Sequence, residues 1–124
     1  MTAQGPLVLI VDDNERNRKL AREVLQLAGF RTVEAATGRA GIEVAVEHLP
    51  DVILLDLRLP DMDGTAVARS LRDDPRTAPL PIVALTSLAL HDEGDWLRQV
   101  GFDGYLEKPI DVREFPEHVR RYCR

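Results

Sequence analysis

The chain reads as one α/β domain, a parallel sheet with helices on both faces. Short apolar runs and stretches of helical periodicity alternate five times along it. Parallel strands need crossover connections, and those crossovers are right-handed, so this alternation implies helices over both faces of one sheet. The length of 124 residues is that of one ordinary domain with one core. Four of the apolar runs also stop at residues that could handle a phosphate or a cation, and open parallel sheets bind ligands beyond the carboxyl ends of their strands.

The elements follow in order. Leu7 to Val11 is an apolar run ending at Asp12 and Asp13. Asn14 then caps a helix with Leu20, Val24, Leu27 and Ala28 at three- and four-residue steps, stopped by Gly29. Thr32 to Ala36 reads as an edge strand, and Thr37 caps a helix carrying Ala40, Val44, Ala45 and Leu49 up to Pro50. Val52 to Leu55 runs into Asp56. The loop from Leu57 to Gly64 precedes a helix with Val67, Ala68 and Leu71, whose exit from Asp73 to Pro79 has the composition of a turn. Pro81 to Leu85 runs into Thr86, and a weaker helix with Trp96, Leu97 and Val100 ends at Gly101. The strand from Asp103 to Glu107 leads to Lys108, and a last helix from about Asp111 buries Val112, Phe115 and Val119.

Composition excludes several classes of function. Hydrophobic residues make up 44% and charged residues 30%, and no apolar stretch approaches the roughly 18 residues of a membrane span. The first six residues lack the basic and apolar regions of a signal peptide, so a cytoplasmic location is expected and no membrane partner. A net charge of −5 argues against nucleic acid as a partner, because that binding rests on neutralising phosphates. Cys123 is the only cysteine, which rules out an internal disulfide. Arginine outnumbers lysine fourteen to two, which makes a lysine directly before Pro109 at a strand end conspicuous. His48, His91 and His118 share no spacing and are expected to face solvent.

Adjacent strands lie about 4.8 Å apart, so Asp12, Asp13 and Asp56 would come within reach of one ion. Three clustered carboxylates repel one another unless one is protonated or a cation sits among them. Mg²⁺ suits such a group, since it takes oxygen ligands and combines one or two carboxylates with phosphate oxygens. A carboxylate can also attack a phosphoryl group to form an aspartyl phosphate. Lys108 would supply a compact positive charge and Thr86 a hydroxyl donor for that phosphate.

The ordered set Val11-Asp12-Asp13-Asn14, Leu54-Leu55-Asp56, Leu59-Pro60-Asp61-Met62-Asp63-Gly64, Ala84-Leu85-Thr86-Ser87 and Tyr105-Leu106-Glu107-Lys108-Pro109 resembles the receiver domain of two-component response regulators. The resemblance spans about residues 7–122 and is greatest to the single-domain type, so residues 1–124 are expected to form one receiver domain. It implies a flavodoxin-like (CheY-like) five-stranded doubly wound sheet of strand order 2-1-3-4-5. It further implies that Asp56 takes a phosphoryl group from phosphohistidine, that Asp12, Asp13 and the Arg58 carbonyl share Mg²⁺ with it, and that Thr86 and Lys108 bind the phosphate. Tyr105 corresponds to an aromatic that rotates inward with the Thr86 loop, and Lys108-Pro109 to a cis peptide. The implied donor, a sensor histidine kinase or histidine phosphotransfer protein, docks near the first helix, with Asn14, Arg18 and Leu20 as contacts. A downstream protein target reads the face of the fourth helix, fifth strand and fifth helix, which is also the expected seat of a weak homodimer. Arg58 and Leu88 flank the site and should influence hydrolysis of the phosphate. Trp96 is expected either against the sheet or exposed for a partner.

Two other readings compete. Asp61-Met62-Asp63-Gly64-Thr65 resembles the nucleophile motif of haloacid-dehalogenase-type phosphatases, which would make the protein an enzyme. Pro60 before Asp61 argues against a central strand there, because proline lacks the required donor. A pseudo-receiver that binds proteins without phosphorylation would lack an acidic, Thr or Lys position, and all are present. The protein is therefore expected to be a signalling domain with self-catalysed phosphotransfer and hydrolysis.

Overall fold

The computed structural model describes residues 5–87 and 94–124. Leu88 and His91 lie outside the described residues. The elements run β1 (Leu7–Val11), α1 (Glu15–Leu27), β2 (Arg31–Ala35), α2 (Gly38–His48), β3 (Val52–Asp56), α3 (Gly64–Asp73), β4 (Ile82–Thr86), α4 (Gly94–Gln99), β5 (Gly104–Glu107) and α5 (Phe115–Tyr122). All strand pairs are parallel and the sheet order is β2-β1-β3-β4-β5, as expected.

The near-continuous apolar runs of β3 and β4 are buried from end to end, as strands covered on both faces must be. Alternate residues go to opposite faces. Leu9, Val11, Ile53, Leu55, Ile82 and Ala84 meet Val67, Ala68 and Leu71 of α3, Ala45 of α2 and Leu97 of α4. On the other face Val8, Ile10, Val52, Leu54, Val83 and Leu85 meet Ala21 and Leu25 of α1 and Phe115 and Val119 of α5.

Helix starts are chemically marked. Asn14 accepts from the Asn17 amide at 3.0 Å, and Thr37 from that of Ala40 at 3.1 Å. Leu20, placed in the apolar stripe of α1, is 40% exposed, and three further apolar residues do not go where periodicity sent them. Leu27 is 90% exposed because the inward stripe of α1 runs through Ala21 and Leu25 instead. Leu49 leaves α2 in a left-handed conformation (φ 47°) and faces outward. Val112 is 51% exposed, since Asp111 accepts from the amides of Arg113, Glu114 and Phe115 in a turn and α5 begins only at Phe115. The C-terminus is tied down: the Arg124 amide donates to the Asp51 carbonyl, and the Cys123 thiol, half-buried and pushed up to about 11 by burial, faces the Val119 carbonyl.

Candidate active site

Strand register builds the site. Val11 is level with Leu55, so Asp12 follows at the height of Asp56, which is itself level with Leu85. Leu85 is level with Leu106 and Thr86 with Glu107, and the Lys108 amide donates to the Thr86 carbonyl at 2.7 Å. Four strand ends therefore deliver Asp12, Asp56, Thr86 and Lys108 to one edge. Three of them are buried, with Asp12 only 1% exposed, Asp56 8% and Thr86 3%.

Lys108 Nζ donates to Asp12 Oδ2 at 2.9 Å and to Asp56 Oδ2 at 3.0 Å. The other oxygens are held by the chain itself: Asp12 Oδ1 accepts from the Asn14 amide and Asp56 Oδ1 from the Arg58 amide. Asp13 is exposed at the rim, and carboxylate oxygens of Asp12, Asp13 and Asp56 lie within 4.8 Å of one another. Burial pushes the Asp56 carboxyl above its ordinary value, with the Asp12 charge adding to it, although the Arg58 amide and Lys108 pull the other way. Burial alone would lower Lys108, but Asp12 and Asp56 outweigh it and hold the ammonium above its ordinary value. With all four ionised, three carboxylates against one ammonium leave two negative charges, the complement of a divalent cation. The hard oxygen donors fit Mg²⁺.

Tight packing sets the geometry. A β-carbon on Gly64 would lie 2.6 Å from the Asp56 carbonyl oxygen and 2.8 Å from Leu57 Cα, so only glycine lets α3 start against this strand end. The loop between is closed by an Arg58·Asp63 antiparallel bridge and by the Gly64 amide on the Leu57 carbonyl at 2.9 Å.

The remaining sequence candidates fall into two groups. Asn14 spends its side chain on the α1 cap, and Arg18, 18% exposed, donates to the Asp12 carbonyl at 2.8 Å and to Glu34. Leu20 (40% exposed) and Trp96 (48%) present apolar surface, and of the α4 residues it is Leu97 that is buried. Tyr105 is half-buried on β5 against the core, and the Lys108–Pro109 peptide bond is cis. Asp61, the nucleophile of the phosphatase reading, caps α2 instead: its oxygens accept from the amides of Gly38 (2.8 Å) and Arg39 (3.0 Å), which hold it below the usual carboxylate range. Periodicity could not reveal this cap. Its one trace in sequence is that the first turn of α2 carries no acidic residue of its own.

The family model for the response regulator receiver domain matches residues 8–120. This chain belongs to that family. The polar-differentiation response regulator DivK of Brucella ovis is 37% identical over 115 residues, 93% of this chain and 94% of that one. Among solved structures, the Vibrio cholerae chemotaxis protein CheY4 superposes with a TM-score of 0.89 at 28% identity, covering 96% of this chain and 99% of that one. The receiver domain of the sensor histidine kinase PA1611 from Pseudomonas aeruginosa PAO1, with a magnesium ion coordinated in its active site cleft, superposes at 0.85 and 32% identity over 95% and 97% of the two chains. The chain is thus a two-component signalling receiver, a family in which a phosphoacceptor function is expected. No helix among the described residues is long and apolar enough to cross a membrane.

Proposed function

We propose that Asp56 is the phosphoacceptor of this receiver and that residues 1–124 work as one receiver domain. The phosphoryl group leaves a histidine nitrogen of a sensor kinase or histidine phosphotransfer protein as the N–P bond breaks and an Asp56 Oδ–P bond forms. The observation that carries the reading is the convergence of Asp12, Asp13 and Asp56 on one point with Lys108 bonded between two of them.

Asp12, Asp13, Asp56 and the Arg58 carbonyl would hold Mg²⁺, which when bound offsets the charge of the phosphoryl oxygens. Lys108 Nζ, held against Asp56 at 3.0 Å, supplies a positive charge for an oxygen of the phosphoryl group formed there. Thr86, at the end of β4 and linked through its carbonyl to the Lys108 amide, supplies a hydroxyl for the same phosphate. The added charge of about −1.5 to −2 draws the Thr86 hydroxyl inward, and Tyr105 follows on the adjacent strand. Water later attacks phosphorus, the Asp56 Oδ–P bond breaks, and inorganic phosphate leaves the free carboxylate, so the domain resets itself without being a conventional enzyme.

The donor meets α1 at Asn14, Arg18 and Leu20, while the face of α4, β5 and α5, with Trp96 exposed on it, serves a downstream protein and a weak homodimer. The protein acts in the cytoplasm, without nucleic acid or membrane as a partner. Incubation with acetyl phosphate and Mg²⁺ followed by peptide mass spectrometry tests the reading. One phosphoryl group on Asp56, absent from Asp56→Asn, is expected; phosphate on Asp61, or none at all, overturns it.

A further inference from the structure

The loop that carries the Arg58 carbonyl has an anchor outside the acidic cluster. Asp61 stands at its tip and reaches across to α2, where both carboxylate oxygens accept backbone amides, at 2.8 Å from Gly38 and 3.0 Å from Arg39. We propose that Asp61 is a positioning residue for the cation site, fixing the Arg58 loop relative to the strand that bears Asp12 and Asp13. This rests on the reading of Asp12, Asp13, Asp56 and the Arg58 carbonyl as Mg²⁺ ligands.

Three observations support it. First, the Arg58·Asp63 bridge and the Gly64–Leu57 hydrogen bond close the loop on itself. A tether at Asp61, three residues from Arg58, therefore acts on the whole loop. Second, α2 is a fixed reference for the acid pair: a β-carbon on Gly41 would lie 3.0 Å from Val11 Cγ2, and Val11 directly precedes Asp12. Displacement of α2 is resisted by the same strand end that carries the metal ligands. Third, the first turn of α2 has no acidic residue, so the positive end of its dipole is met by Asp61 from across the loop. Met62 adds an apolar contact, its side chain lying over Gly38 where a β-carbon would clash with it. The path from Asp12 through Val11, Gly41, the amides of Gly38 and Arg39, and Asp61 to Arg58 is continuous.

The test compares Mg²⁺ affinity with stability for the whole chain, using calorimetric titration with MgCl₂ and thermal unfolding. Asp61→Ala should weaken Mg²⁺ binding about 10-fold, within the range for residues that orient metal ligands without touching the ion. Asp61→Asn, which keeps one acceptor oxygen, should lose less and guards against a misfolded alanine variant. Thr37→Ala removes the neighbouring α2 cap on the Ala40 amide without touching the loop; it should lower the melting temperature and leave Mg²⁺ affinity unchanged. Amide exchange at Gly38 and Arg39 should quicken in both Asp61 variants. Wild-type affinity in Asp61→Ala overturns the proposal, as does a loss that tracks the fall in melting temperature across all three variants. A folded wild type that binds no Mg²⁺ overturns the metal-site reading itself, and this inference with it.

Discussion

The two edges of this sheet solve the burial of a cation in opposite ways. At the amino edge of β4 and β5, Arg72 donates to the carbonyls of Ala78 and Leu80, each at 2.6 Å, to the Gly101 carbonyl from two nitrogens, and to Asp103 at 2.9 Å. Its charge is matched once and its fork of donors is filled. At the carboxyl edge, Lys108 faces two buried carboxylates with a third nearby. One ammonium cannot balance three acids, and burial raises the Asp56 carboxyl rather than settling it. The balanced edge holds the fold together, whereas the unbalanced one keeps an excess of negative charge of the size a divalent cation would neutralise.

Substitutions at the two cations should separate these roles. Arg72→Ala strips partners from three carbonyls and one carboxylate and should cost about 3 kcal/mol in urea unfolding, while Mg²⁺ affinity stays as in wild type. A matching loss of metal binding would mean that the edges are coupled. Lys108→Ala should cost about as much without metal, about 3 kcal/mol, because it leaves the buried carboxylates of Asp12 and Asp56 without their cation. Saturating Mg²⁺ should restore much of that loss, in contrast to Arg72→Ala. No recovery would show that Lys108 is a structural cation like Arg72.

Neutralising an acid at the unbalanced edge should have the opposite sign. Asp56→Asn should stabilise the metal-free protein by about 1 kcal/mol near pH 7, since burial and the Asp12 charge both disfavour the Asp56 carboxylate. The folded carboxyl binds its proton more tightly than the unfolded one, so its charge costs stability at neutral pH and that cost vanishes as pH falls through the folded-state value. The advantage of Asp56→Asn should therefore shrink between pH 8 and the acid side, as read from paired urea curves; a constant difference would contradict the raised value. Asp61 runs the other way, its stabilisation present above the ordinary carboxylate range and lost as pH falls through its lowered value. The smallest effect on stability is expected from Arg58→Ala, whose carbonyl is retained. It should change the lifetime of the phosphate, followed by mass spectrometry, and leave Mg²⁺ affinity nearly unaltered.

Much of the fold was legible because buried parallel strands announce themselves. Runs such as Val52-Ile53-Leu54-Leu55 have no polar residue until the strand ends, so four of the five strand ends also marked a candidate site residue. The edge strand β2 was placed within one residue on weaker evidence, Thr32 to Ala36 against Arg31–Ala35. Helix faces were less legible. Leu27 fits a three- and four-residue spacing as well as Leu25 does, yet Leu25 is fully buried and Leu27 points outward. Spacing fixes which residues share a face, and the sheet chooses among neighbouring faces. Val112 misled for a related reason, since Asp111 starts a turn there and the helix begins four residues after Asp111, with Pro116 in its first turn.

The identities of the strand-terminal acids, the hydroxyl and the lysine, and their order along the chain, were written in the primary structure, because a residue type and its distance from an apolar run are local properties. The pairing of Lys108 with Asp12 and Asp56 across 96 and 52 positions came only with strand register. So did the glycine-tight approach of α3 to Asp56, and the reassignment of Asp61 from candidate nucleophile to helix cap. Those three depend on how separate elements meet in space, and close approach between segments leaves no periodic signal in either one.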